Sequence, residues 1–253
     1  MKIRIIHFVL AAMLVLPGCA TGVSFPSTGS QSTVRVSGLL FKPKGEGVHP
    51  AVVLLHTCGG QKPHVTEAWP DYLTGLGYVV LSVDSYGPRG VSRCTELLGH
   101  WILQADDAYG ALDYLSGLPF VDGNRVGVLG FSRGAMAIND YIANRSLIEG
   151  HPDFKAAIAF YGRCTFLWNF TAKSVPLMEI VAENDENHAP SCIAVGKSGL
   201  IEVHVLKGAY HAFDQTTSRG QADSGGSIMI YSAGATTEAE RHVKSFLARH
   251  LGK

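Results

Sequence analysis

The chain has 253 residues and a mass of 27.1 kDa, with 46% hydrophobic and 17% charged residues. That composition, with a formal charge of zero, excludes a disordered protein. With 21 basic against 21 acidic residues, no surplus exists to hold a polyanion, so no nucleic-acid partner is expected.

Lys2 and Arg4 open the chain, and Ile5 to Leu16 is apolar apart from His7. Such a run is of signal-peptide length and too short to span a bilayer comfortably. Leu16-Pro17-Gly18-Cys19 then resembles a bacterial lipobox, which implies lipidation of Cys19 at a new N-terminus. An ordinary secretory signal cleaved nearby is the alternative. Ala20 after the cysteine favours the outer membrane by resemblance, so the expected location is the bacterial envelope, anchored by lipid and facing the periplasm. Ala20 to Thr33 is rich in Ser, Thr and Gly and reads as a flexible tether. The domain is expected over residues 34–253.

Thr33 to Lys42 reads as an opening antiparallel strand. Ala51–His56, Tyr78–Val83, Arg125–Gly130, Ala156–Tyr161 and Leu177–Val181 are continuous apolar runs, as in strands buried on both faces. Ile201–Leu206 alternates more and suits a sheet edge. Helical stretches lie between the runs: Thr66–Leu76, Leu103–Leu115 and Arg133–Asn144. Thr237-x-x-Glu240 reads as a capping box that starts the last helix. The alternation predicts an α/β fold, a mostly parallel central sheet with helices on both faces. Ligands of such sheets sit at the carboxyl ends of the strands.

Gly130-Phe131-Ser132-Arg133-Gly134 lies at one such end, between a buried strand and a helix. There G-x-S-x-G forms a sharp turn that presents Ser132 as a nucleophile. A serine needs a base, and in this fold type the order is serine, acid, histidine. Of the histidines after Ser132, only His211 falls in the loop after the last strand. His151, His188, His242 and His250 read as solvated, and His204 as structural. The acid comes from Ala182-Glu183-Asn184-Asp185-Glu186-Asn187; Asp185 is preferred, with Glu183 and Glu186 as competitors. Gly59 and Gly60 let the loop after the Ala51–His56 strand approach a substrate closely. The N–H groups of Cys58 and Arg133 are the expected oxyanion donors, and His56 reads as a buried structural residue.

With these pieces assembled, the sequence resembles the dienelactone hydrolase family of α/β-hydrolases. The resemblance rests on Val52–Gly60, Asp84-Ser-Tyr-Gly-Pro-Arg-Gly90, Gly130–Gly134, Asp185 and Tyr210-His-Ala-Phe-Asp214, in family order over roughly residues 35–250. It implies hydrolysis of small carboxylic esters or lactones through an acyl-enzyme. No cofactor is expected, no Cys/His cluster has zinc spacing, and the insertion after the Ala156–Tyr161 strand is too short for a separate cap domain. Founding members use cysteine where Ser132 stands, so this chain is similar to a serine branch. They also carry an arginine after the histidine to hold a substrate carboxylate; here Asp214 and Gln215 follow Phe213. Arg89 either binds an acidic group or pairs a structural carboxylate. Tyr86 and Trp168 are further candidate substrate contacts. Gln215 to Ala235, rich in Gly and Ser, reads as a mobile stretch beside His211.

Four cysteines remain in an exported chain, and three connectivities are open. Cys164 and Cys192 follow successive strand ends and are expected to pair, leaving Cys58 with Cys94. Two other classes of function stay open: a peptidase or acyltransferase of the same fold, and a non-catalytic envelope lipoprotein that uses the fold as a scaffold. The sequence sets no oligomeric state.

Overall fold

A computed structural model describes residues 19–28, 34–97, 103–143, 153–165, 167 and 175–252. The signal segment, Trp168 and His151 lie outside the described residues. Eight strands form one sheet: β1 (Thr21–Pro26), β2 (Arg35–Phe41), β3 (His49–Leu55), β4 (Val79–Asp84), β5 (Val121–Phe131), β6 (Ala156–Phe160), β7 (Leu177–Ala182) and β8 (Glu202–Leu206). Their order is β1-β2-β4-β3-β5-β6-β7-β8. β1 and β2 are antiparallel to their neighbours, and all pairs from β4 to β8 are parallel. This is the α/β-hydrolase fold. The Ile201–Leu206 run is the edge strand β8, as its alternation suggested.

Two cores follow from strands that are apolar on both faces. On one face Ala108, Ala111, Leu112 and Leu115 of α2 (Leu103–Ser116) pack with Ala135 of α3 (Arg133–Ala137) and Cys192 of α4 (Ala189–Gly196). On the other, Trp69 and Leu73 of α1 (Trp69–Gly75) pack with Ala239, Val243, Phe246 and Leu247 of α5 (Ala233–Leu251). A π-helical turn leads into α1 at His64–Ala68, and another continues α3 at Ile138–Ile142. The last helix begins four residues before the expected capping box. Ser232 is its N-cap, accepting from the Ala235 N–H, so Thr237 and Glu240 lie inside the helix.

The reading of Ala20–Thr33 as a tether is corrected over Thr21–Pro26. Thr21–Pro26 forms β1, paired along its whole length with β2. Val23 and Phe25 point inward and are buried, while Gly22, Ser24 and Pro26 face out. A Cβ on Gly110 of α2 would stand 2.2 Å from the Pro26 carbonyl oxygen, so a glycine there lets the strand end seat against the helix. The strand alternates as an edge strand should, and Pro26 sits at its end, where no ladder donor is missed. A chain starting near residue 32 therefore lacks a strand and two core side chains. Phe25→Ala is expected to cost about 3–5 kcal/mol, or roughly 10 °C in Tm at this size. Ser24→Ala, on the exposed side of the same strand, should leave the melt within a degree or two. Equal melting of the two variants would return β1 to a dispensable segment.

The stretch read as mobile beside His211 is corrected as well. It forms an antiparallel hairpin of β9 (Arg219–Ala222) and β10 (Ile228–Ile230). Met229 bridges to His211, and the Ser232 N–H donates to the Phe213 carbonyl.

Candidate active site

The strand order reverses at β3: β4 lies on one side of it and β5 on the other. This switch point opens a crevice beyond the strand ends. Ser132 follows β5 there, with φ 51° and ψ −103°, a strained backbone for a non-glycine residue. The turn closes because its flanks are glycines. A Cβ on Gly130 would lie 2.5 Å from the Gly134 carbonyl, and one on Gly134 would lie 2.5 Å from the Leu55 carbonyl oxygen. The Ser132 N–H donates to the Phe160 carbonyl and its own carbonyl accepts from the Met136 N–H. Both ends of the strained residue are thereby held.

Three strands bring the three chemical groups together. His211 Nε2 lies 3.0 Å from Ser132 Oγ, and His211 Nδ1 lies 2.6 Å from Asp185 Oδ2. All three residues are buried. Glu183, a competitor for the acid, is instead paired at the surface with Lys207 and the Gly208 N–H. Glu186 is exposed. Burial alone pushes the Asp185 carboxyl up. Hydrogen bonds from His188 and His211, with their charges, outweigh it and hold the carboxyl well below the usual range.

His188 corrects the sequence reading, which left it in solvent. Its Nδ1 lies 3.0 and 3.1 Å from the two Asp185 oxygens, and its ring packs on His211 with centroids 5.2 Å apart. Ser227, in the turn between β9 and β10, donates to Asp185 Oδ1 at 2.9 Å. Asp214, where the resemblance led us to look for an arginine, is buried. It accepts from Tyr161 Oη at 2.7 Å and Trp69 Nε1 at 2.8 Å. Tyr161 in turn packs edge-on to His211 at 4.8 Å. Asp214 thus fixes the wall behind the imidazole and offers nothing to a substrate carboxylate.

Of the two readings of Arg89, the structure supports the pairing with a structural carboxylate over contact with substrate. Its guanidinium makes two bonds to Asp107, at 2.8 and 2.9 Å, and donates to the Ser85 carbonyl at 2.7 Å. The side chains are 8% and 0% exposed. A fork bound to a buried carboxylate and a carbonyl is a structural clamp between α2 and the turn after β4. Tyr86, three residues earlier, is buried against His56, with ring centroids 4.3 Å apart. Burial raises its phenol to about 12, against the nearby charge of Arg133. His56 is fully buried, with Nδ1 2.8 Å from the Thr57 carbonyl and Nε2 accepting from the Ser85 N–H, a structural role.

The loop after β3 carries Cys58 and is closed by a Thr57–Gly60 bridge. Cys58 is disulfide-bonded to Cys94, whose N–H also donates to the Cys58 carbonyl. Cys164 and Cys192 form the second disulfide. Arg133 opens α3 directly after Ser132. Two groups of side chains among the described residues converge closely enough to ligate a cation. In Cys164, Glu179 and Cys192 the sulfurs are already joined to each other. In Asp185, His188 and His211 the facing atoms are already hydrogen-bonded to one another.

Residues 36–251 match the dienelactone hydrolase family. The chain belongs to that family. It is 28% identical over 191 residues to the uncharacterized protein YcjY of Escherichia coli (strain K12), covering 73% of this chain and 60% of YcjY. It is 30% identical over 126 residues to the esterase FrsA of Klebsiella pneumoniae, covering 47% of this chain and 27% of the esterase. The chain thus spans less than two thirds of either curated relative. Among solved structures, a dienelactone hydrolase-like promiscuous phosphotriesterase from metagenomic libraries superposes with a TM-score of 0.70 at 20% identity, over 93% of this chain and all of that one. A dienelactone hydrolase from Anabaena variabilis gives 0.67 at 20% identity, over 92% and 98%. At those identities the two structures speak for the fold.

Proposed function

We propose that this hydrolase cleaves small carboxylic esters or lactones by way of an acyl-enzyme on Ser132. The reading is carried by one observation, the buried hydrogen-bonded line from Ser132 Oγ through His211 to Asp185. Ser132 Oγ attacks the acyl carbon as its proton passes to His211 Nε2. The negative Asp185 at Nδ1 stabilises the resulting imidazolium. The N–H groups of Cys58 and Arg133 receive the oxyanion, with the Cys58–Cys94 disulfide steadying the first donor. Tyr86 Oη, buried and without a hydrogen-bond partner among the described residues, supplies a further donor to the substrate. The ester C–O bond then breaks and the leaving oxygen takes the proton from Nε2. Water repeats the sequence on the acyl-enzyme, giving the acid and free Ser132.

A fluorophosphonate probe tests the nucleophile, and a panel of aryl esters and lactones tests the substrate class. Stoichiometric labelling at Ser132 with turnover of the panel supports the reading; an unlabelled Ser132 ends it.

The pH profile carries a separate expectation. His211 takes the serine proton while Asp185 stays negative beside it. Hydrogen bonds from His188 and His211 hold the Asp185 carboxyl well below the usual range, so its ionisation is kept as pH falls through the ordinary carboxylate range and is lost only below it. kcat/KM should therefore show no inflection near the ordinary carboxylate pKa of about 4. An inflection there that disappears in Asp185→Asn would show the carboxyl unshifted.

We also propose that the chain is exported and anchored through lipid on Cys19 to the bacterial envelope, facing the periplasm. The Leu16–Cys19 string and the apolar run before it support this, as do two disulfides that persist in an oxidising compartment. Mass spectrometry of the mature N-terminus tests it.

A further inference from the structure

The turn that joins β9 to β10 reaches across the site. At one end Ser224 Oγ lies 3.7 Å from Cys58 Sγ, beside the proposed oxyanion loop. At the other, Ser227 donates to Asp185, and Asn187 holds the Gly225 carbonyl and Ser227 Oγ. Asp223 begins this turn. Its Oδ1 accepts from the N–H groups of Gly225 and Ser227 at 2.8 and 2.9 Å, which fixes the carboxylate in place. Its other oxygen, Oδ2, lies 3.7 Å from His211 Nε2, the nitrogen that also faces Ser132 Oγ. The Asp223 side chain is 22% exposed, against 3% for His211.

Nε2 must hand a proton to the leaving oxygen, which therefore comes within about 3 Å of it. A carboxylate 3.7 Å from the same nitrogen borders the space that the leaving alcohol occupies. The charged groups around the site have partners of their own. Arg89 is committed to Asp107, and Asp214, itself acidic, accepts from Tyr161 and Trp69. His188 is turned to Asp185. The Arg133 guanidinium interacts electrostatically with Tyr86, Asp140, Tyr141 and Arg163.

We infer that Asp223 selects the leaving group, favouring esters of cationic alcohols such as amino alcohols and rejecting those of anionic ones. The inference rests on the ester-hydrolase reading and deepens it. In each turnover the acyl C–O bond breaks, the alcohol leaves carrying the His211 proton, and its cationic nitrogen, a few bonds away, meets Oδ2.

The test uses three esters of one short acyl group: with choline, with its neutral isostere 3,3-dimethylbutanol, and with the anionic 2-hydroxyethanesulfonate. Rates are normalised to Ser132 sites titrated with a fluorophosphonate. Wild type should favour the choline ester over the neutral one by about 10-fold in kcat/KM, or about 1.4 kcal/mol, and disfavour the anionic ester similarly. Asp223→Asn keeps the Oδ1 acceptor of the turn and removes the charge. Its three rates should fall within about twofold of each other. The ratio within each protein is what is read, so a general loss of rate cancels. A second measurement needs no turnover: Ser132 inactivation by methylphosphonates with thiocholine or neutral thiol leaving groups should show the same preference. Equal rates in wild type, or a preference that survives Asp223→Asn, overturns the inference and leaves the ester hydrolase standing. If neither esters nor phosphonates react at Ser132, both readings fall.

Discussion

Ser132→Ala is expected to remove nearly all of the proposed ester hydrolysis, by about 10⁴–10⁶ in rate, with the melting temperature close to wild type. The strained φ of 51° at residue 132 is imposed by Gly130, Gly134 and two backbone hydrogen bonds. None of these involves the hydroxyl, so its removal leaves the turn intact. His211→Ala should fall to a similar level, and the double variant hardly lower, because the two groups act as one unit. Asp185→Asn should cost less than either, since the imidazole keeps its nucleophile. Esterase assays on protein freed of contaminating hydrolases check the series. Retention of more than a few per cent of wild-type kcat by Ser132→Ala would remove the serine from the mechanism.

A loss of stability as large as that of Phe25→Ala is expected at Arg89 and Asp107. Breaking a buried ion pair by deleting one partner costs about 3–5 kcal/mol, because the other charge stays buried without a partner. Arg89→Ala strands a carboxylate that is fully buried on α2. Asp107→Ala strands a guanidinium that keeps only the Ser85 carbonyl. Replacing both residues with Leu and Met should restore much of the loss, since a packed apolar pair avoids the desolvation cost. Denaturant unfolding of the singles and the double checks this. If Arg89→Ala instead melts like wild type and loses activity mainly on acidic esters, the residue binds substrate after all.

The five buried parallel strands were legible because each is a continuous apolar run. Ser132 and His211 were legible because each stands at the end of such a run. The acid was harder: Glu183, Asp185 and Glu186 share one loop, and only the fold turns Asp185 inward. His188 and Ser227 reach that carboxylate from 3 and 42 residues away. The first separation is a turn of chain that the sequence could suggest. The second depends on how a hairpin docks, for which no local pattern exists. β1 was missed for a different reason. Val23 and Phe25 do alternate with small residues, but six residues among Ser, Thr and Gly carry too little apolar content to outweigh the composition around them. Arg89 was ambiguous because a guanidinium suits a substrate carboxylate and a structural one equally well. Asp107 lies 18 residues on and becomes its partner only when α2 packs.

Absorbing residues 21–26 into the sheet changes how far the site can travel. A 14-residue flexible tether would let a domain roam roughly 20 Å from its anchor. From Cys19 to the start of β1 at Thr21 there are two residues, a reach of at most about 7 Å. An acylated Cys19 would thus hold the edge of the sheet at the headgroup layer. The enzyme would work on a short leash, sampling substrate in a thin shell above the bilayer rather than through the depth of the compartment.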